Sequence, residues 1–121
     1  MPTDSVPAFF KQSTNKKREK DMSTLDVNKL AILGSHTEEA TKAFWAYDKA
    51  ALADGAIPRK YKELMAVAVA LTTQCAYCIE VHRAAAIKAG VTEQELAEAI
   101  HVAAALRAGA AITHGTHLLG K

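Results

Sequence analysis

Two cysteines occur in the 121-residue sequence, and both fall in the segment CAYCIEVH, residues 75–82. Cys75 and Cys78 are three apart, His82 stands four beyond the second, and Glu63 precedes the first by twelve. Close thiols can exchange electrons by forming a disulfide, a neighbouring imidazole can take a thiol proton, and a carboxylate can orient that imidazole. The same residues could instead hold zinc, with Cys75, Cys78 and His82 as three ligands and Glu63, His101, His114 or His117 as the fourth. Ordinary packing of two small side chains in a helix is the third reading.

Composition narrows the setting. The chain suits one domain with one core, and its apolar content of 50% is mostly Ala, Leu, Val and Ile, which favours closely packed helices. Residues 1–22 carry five Lys/Arg against three Asp/Glu, and residues 23–121 carry ten of each. The body is therefore neutral, and no basic face points to a nucleic-acid partner. The run KKREK at 16–20 reads as a solvated segment. No apolar stretch is expected to reach the ~18–20 residues of a membrane span, and the first twenty residues lack a secretory core. A soluble, cytoplasmic protein without a membrane partner is expected. In that reducing compartment a close cysteine pair serves catalysis or metal binding rather than stapling.

The elements that must position these residues are all helical. Residues 1–22 are expected as an irregular arm and 23–121 as the folded domain. A short helix is predicted over about 24–33, stopping at Gly34. Ser35 and Glu38 in SHTE offer a capping box for a second helix with Ala40, Phe44, Tyr47 and Ala51 on one side, ending near Asp54-Gly55. Pro58 suits the first position of a third helix carrying Leu64, Val67, Ala68 and Leu71; its run LMAVAVAL is apolar on nearly every face and predicts burial all round, by the domain or by a partner subunit. Thr72, Thr73 and Gln74 predict a break, with a fourth helix from about Cys75 to Ala89 ended by Gly90. TEQE at 92–95 predicts a second capping box and a long final helix. The whole reads as all-α, a compact helical bundle of about five to six helices. The small-residue face at 102–111 and the apolar third helix together suggest a homo-oligomer.

A helix beginning near Cys75 places both sulfurs on its first turn, where unpaired N–H groups favour a thiolate. Cys78 and His82, i and i+4, share a face, so the imidazole can act as base to the thiol. If the third and fourth helices form an antiparallel hairpin, Glu63 folds back toward His82. His114 and His117 suit a helix end as cations. Phe44, Trp45 and Tyr47 read as core or interface packing, with the lining of a substrate pocket as the other use. Tyr77 could place its hydroxyl near the sulfurs or simply pack.

The pattern E-(x)11-C-x-Y-C-x-x-x-H, as Glu63, Cys75, Tyr77, Cys78 and His82, resembles the active-site signature of the alkylhydroperoxidase D-like branch of the carboxymuconolactone decarboxylase family, across about residues 57–102. The resemblance implies an all-helical, oligomeric fold, expected as a trimer or hexamer, and a thiol-dependent peroxidase or disulfide-exchange activity. It implies that Cys78 attacks a hydroperoxide and becomes a sulfenic acid, that Cys75 resolves it as a disulfide, and that Glu63 and His82 relay protons. Some members place a histidine between the cysteines. Tyr77 stands there in this chain as a possible auxiliary group. The decarboxylase branch lacks the paired cysteines, so that reaction is not expected. No coenzyme-binding glycine loop is present, so no cofactor and no metal is expected; electrons would come from a small thiol or a disulfide reductase. The alternative is a zinc-binding or disulfide-exchange module without peroxidase turnover.

Overall fold

A computed structural model describes residues 27–121 of the chain. The expected arm at 1–22 and the expected start of the first helix lie outside the described residues. Within them the fold is helical throughout: α1 (Val27–His36), α2 (Glu38–Leu52), α3 (Arg59–Thr73), α4 (Ala76–Lys88), α5 (Glu93–Gly115) and a closing 3-10 turn, Thr116–Leu118.

The first boundary differs from the sequence reading. Gly34 does not stop α1, which runs on through Ser35 to His36, and the Ser35 hydroxyl donates to the Ile32 carbonyl inside that helix. Thr37 is the N-cap of α2 and makes no side-chain cap; its hydroxyl donates to the Leu33 carbonyl instead. Glu38 lies one position inside α2 and pairs with Lys42 at 3.7 Å on the surface. The predicted capping box fails because Ser35 lies inside α1, with its hydroxyl turned back on the Ile32 carbonyl, and so cannot stand at the N-cap of the next helix.

The later boundaries follow local chemistry closely. Asp54 lies just beyond α2, and its Oδ1 accepts the Arg59 N–H at 2.7 Å, so it caps the start of α3 across the loop. Pro58 stands at the N-cap rather than inside the helix, where its missing N–H costs nothing. Gly90 ends α4 with φ of 95°, and the Val91 N–H reaches back to the Ala86 carbonyl at 2.9 Å. Thr92 and Glu95 form the predicted capping box of α5.

The core is small and built largely from alanine. Glu63, Val67 and Ala70 repeat along one stripe of α3 and are its buried residues. That stripe packs against α4 and α5, where the buried positions are Ala86, Ala99 and Ala103, with Leu64, Leu71 and Leu96 partly buried around Val67, Ala86 and Val91. The alanines allow close helix approach, while the Arg107 guanidinium donates to the Thr72 carbonyl and ties α5 to the end of α3.

The opposite faces are bare in the single chain. Met65 and Val69 of α3 are exposed, so the all-round burial expected of this helix is not met within one chain. Phe44, Trp45 and Tyr47 are exposed as well, and α2 buries nothing, which corrects their reading as intramolecular core. The segment Glu93–Leu118 is long and apolar enough to cross a membrane by length and composition, although no such stretch was expected. The reason is that Arg107 is its one Asp, Glu, Lys or Arg between positions 99 and 118, while alanines sustain the average between scattered histidines and threonines. The most apolar window of that segment is 11% buried, unlike the core helix of a self-contained domain.

Candidate active site

The corner between α3 and α4 builds the site. Gln74 ends α3 in the left-handed region at φ 58°, and the Cys75 N–H closes back on the Ala70 carbonyl at 3.2 Å. Two residues therefore reverse the chain, and Cys75 becomes the N-cap of α4. Its side chain does what a serine or aspartate usually does there: Cys75 Sγ accepts the Cys78 N–H at 3.3 Å.

The two sulfurs lie 2.6 Å apart as free, half-buried thiols. Their acidities diverge. The Cys78 thiol hydrogen and the Cys78 N–H both support negative charge on Cys75, holding its thiol below the ordinary range. Cys78 is pushed up to about 11, first by its hydrogen bond to Cys75, then by burial and by the negative charge of Cys75, with a lesser push from Asp48. The helix start was expected to favour a thiolate on both cysteines. The structure gives that advantage to Cys75, because Cys75 is the cap and Cys78 is the donor to it.

The α3–α4 hairpin also brings Glu63 to His82. Nδ1 of His82 donates to Oε2 of Glu63 at 2.8 Å, across nineteen positions of sequence. The Glu63 side chain is the largest fully buried one among the described residues, at 1% exposure, and its other oxygen faces Arg59 Nε at 3.7 Å. An ionised carboxylate can only accept, so Nδ1 carries the hydrogen and Nε2 is left to exchange a proton. His82 and Cys78 line two cavities in common, of about 510 and about 390 Å³. The first lies among α1, α2 and α4 and the second between α2 and α3, and Asp48 stands at both.

Of the residues singled out by sequence, Glu63, His82, Cys75 and Cys78 come together in one place. Tyr77 is near them and lines the larger cavity. His101 is exposed on α5, and His114 and His117 stack edge to face at 5.2 Å near the C-terminal end. Among the described residues no group of three or more His, Cys, Asp or Glu is arranged to hold a metal ion. The zinc reading finds no ligand set among the described residues. Asp48, Phe44 and Trp45 are the site-lining residues that the motif did not include. The i, i+4 relation of Phe44 and Asp48 was the available signal.

The sequence profile of the carboxymuconolactone decarboxylase family matches residues 38–120, from the start of α2 nearly to the end of the chain. The chain belongs to the carboxymuconolactone decarboxylase family. That family includes alkylhydroperoxidase D-like proteins. Among curated relatives, this family member is 49% identical over 77 residues to uncharacterized protein 4 in the cox locus of Paracoccus denitrificans, covering 64% of this chain and 69% of that one. It is 37% identical over 70 residues to an uncharacterized protein of Cupriavidus necator, covering 58% of this chain and 62% of the other. The relatives' descriptions carry no activity, so what this family member does rests on its site.

Proposed function

We propose that this protein is a thiol-dependent peroxidase that reduces alkyl hydroperoxides. The observation that supports it most is the buried Glu63 carboxylate bonded to His82, beside a pair of thiols 2.6 Å apart at a helix start. Cys78 lines the cavities and Cys75 does not, so a peroxide entering either one meets Cys78.

When the pair loses a proton the charge falls on Cys75, whose sulfur accepts from the Cys78 thiol. Passing that one hydrogen to Cys75, or to Nε2 of His82, gives a Cys78 thiolate facing the cavity. Its sulfur attacks the terminal peroxide oxygen, the O–O bond breaks, and the alkoxide leaves with a proton as the alcohol. Cys78 is now a sulfenic acid, oxidised by two electrons. Cys75 attacks it as a thiolate, forming the disulfide and expelling hydroxide, which takes a proton from solvent and leaves as water. Glu63 holds the imidazole in orientation and supports its charge while the proton is in transit. A small thiol or a disulfide reductase then returns two electrons. The bare apolar faces of α3 and α5 fit assembly as a homo-oligomer, a trimer or hexamer, and a cytoplasmic setting would keep the pair reduced.

Rapid mixing of the reduced protein with one equivalent of an organic hydroperoxide tests this. Fast loss of two thiols per chain is expected in wild type and not in Cys78→Ser, while Cys75→Ser should leave a sulfenic acid that dimedone traps. Equal thiol loss in all three proteins would sink the mechanism.

A second reading, disulfide exchange, is favoured by the lowered pKa of the Cys75 thiol. A thiolate at the helix cap is the group that would attack a disulfide. A mixed disulfide trapped in Cys78→Ser but not in Cys75→Ser, without fast peroxide reaction, would establish it instead.

A further inference from the structure

We infer that the cavity among α1, α2 and α4 holds the organic group of an uncharged, apolar hydroperoxide, and that Asp48 turns anionic ones away at the sulfur end. This rests on the peroxidase reading above and gives it a substrate class.

The cavity, about 510 Å³, is in the size range of small-molecule sites. Leu33, Phe44, Trp45 and Val81 supply its apolar wall, and Cys78 and His82 stand at its reactive end. Its polar groups are largely spoken for. Thr37 donates to the Leu33 carbonyl at 2.7 Å and shares a 3.1 Å hydrogen bond with Thr41, and Nδ1 of His82 is held by Glu63. Among the described residues neither lysine nor arginine lines it.

Asp48 is different. It is half-buried, lines the cavity near Cys78, and has no hydrogen bond or ion pair among the described residues. A ligand carboxylate here would find no lysine or arginine among the described lining residues and would face a like charge. The smaller cavity shares Asp48, Cys78 and His82 but is also lined by Lys62, whose Nζ donates to the Ala53 carbonyl at 2.7 Å. The charge-selective route is therefore the larger one. A neutral alkyl or aryl hydroperoxide can bury its organic part against Phe44 and Trp45 and present its peroxide oxygens to Cys78.

Trp45 is the single tryptophan of the chain, so its emission reports occupancy without thiol chemistry. The probes are 2-phenylpropan-2-ol, the alcohol product of cumene hydroperoxide, and its 4-carboxylate analogue, each titrated into reduced full-length protein at pH 7. A saturable Trp45 change with the alcohol is expected, with binding of the carboxylate weaker by roughly tenfold or more. Asp48→Asn should bring the two affinities close together, and Ala40→Phe, which fills the cavity, should remove the signal for both. Absence of a saturable change with the alcohol, equal or tighter binding of the carboxylate, or a ratio unmoved by Asp48→Asn would overturn the inference. Asp48 is half-exposed, so its variant tests the idea even where Ala40→Phe fails to fold. The two readings fail separately. Selective alcohol binding with slow thiol loss to cumene hydroperoxide would remove the peroxidase reading and leave the cavity's ligand class. Fast thiol loss without alcohol binding would do the reverse.

Discussion

Oε2 of Glu63 and Nδ1 of His82 are 2.8 Å apart, with Glu63 1% exposed where α3 packs against α4. A buried acid on the same stripe as Val67 and Ala70 takes a core position, and its partner explains why it is tolerated there. Orientation of the ring, rather than surface charge, is what this pair contributes to the site.

Glu63→Gln keeps the volume and removes the charge. The rate of thiol loss to an organic hydroperoxide should fall by about 10²-fold or more, the range of a lost acid–base contribution. Circular dichroism should show the helices intact. An unchanged rate would detach Glu63 from the chemistry.

His82→Ala strips the buried carboxylate of its closest partner, leaving Arg59 at 3.7 Å. A loss of stability on the order of 1–3 kcal/mol is expected from the unpaired buried acceptor. Thermal melts of this variant against the double variant with Glu63→Gln check it, because the second change should restore part of the loss.

The thiols should titrate in two well-separated steps when thiolate absorbance is followed with pH. The first proton, from Cys75, leaves below the ordinary thiol range, and the second, from Cys78, leaves at about 11. Between the two steps one thiolate per chain is present. Cys75→Ala removes both the hydrogen-bond partner and the opposing charge, so Cys78 should then ionise at lower pH. A Cys78 step that stays at about 11 in that variant would assign its shift to burial instead.

Thr92→Ala should cost about 1 kcal/mol through loss of the α5 cap. Glu95 adds a pH signature. Its carboxyl is held below the usual range by the Thr92 N–H and by Lys60 at 3.2 Å. A depressed folded-state value means that the contribution is present above the ordinary carboxylate range of about 4.3 and is lost as pH falls through the lower folded value. Wild type should melt above Glu95→Gln at pH 7, with the gap closing in strong acid.

Gln74→Gly addresses the corner itself. Gln74 holds φ at 58°, a conformation that costs a residue with a side chain roughly 1–2 kcal/mol. Glycine has no such penalty but loses more chain entropy on folding, so the net gain should be at most about 1 kcal/mol, read as a higher melting temperature. Thiol reactivity should persist, since the Cys75 N–H to Ala70 bond that sets the corner is retained.

Much of this was legible locally. The Thr92–Glu95 box and the end of α4 at Gly90 are decided within a few residues, and there the sequence signals agree with the structure, while the break expected over Thr72–Gln74 narrows to Gln74 and Cys75 because α3 runs on through Thr73. The Ser35–Glu38 box in SHTE did not form, because α1 runs on through Ser35 to His36 and the Ser35 hydroxyl turns back on the Ile32 carbonyl. Apolar spacing on α2 named Phe44 and Tyr47 as facing inward, but the described chain offers no element to cover them.

By itself the sequence determined the chemical inventory: two thiols one turn apart, an imidazole one turn further on, an acid twelve positions back, and helices to carry them. Those are properties of spacing along one helix or one turn. Three things were decided by the tertiary structure. The α3–α4 hairpin brought Glu63 onto His82, a contact that depends on how two helices pack. The corner made Cys75 the cap and Cys78 its donor, which set the order of their acidities. The packing of α2 against α3 brought Asp48 to the cavities that Cys78 lines, because the separation of side chains on different helices is set by packing and not by their distance in sequence.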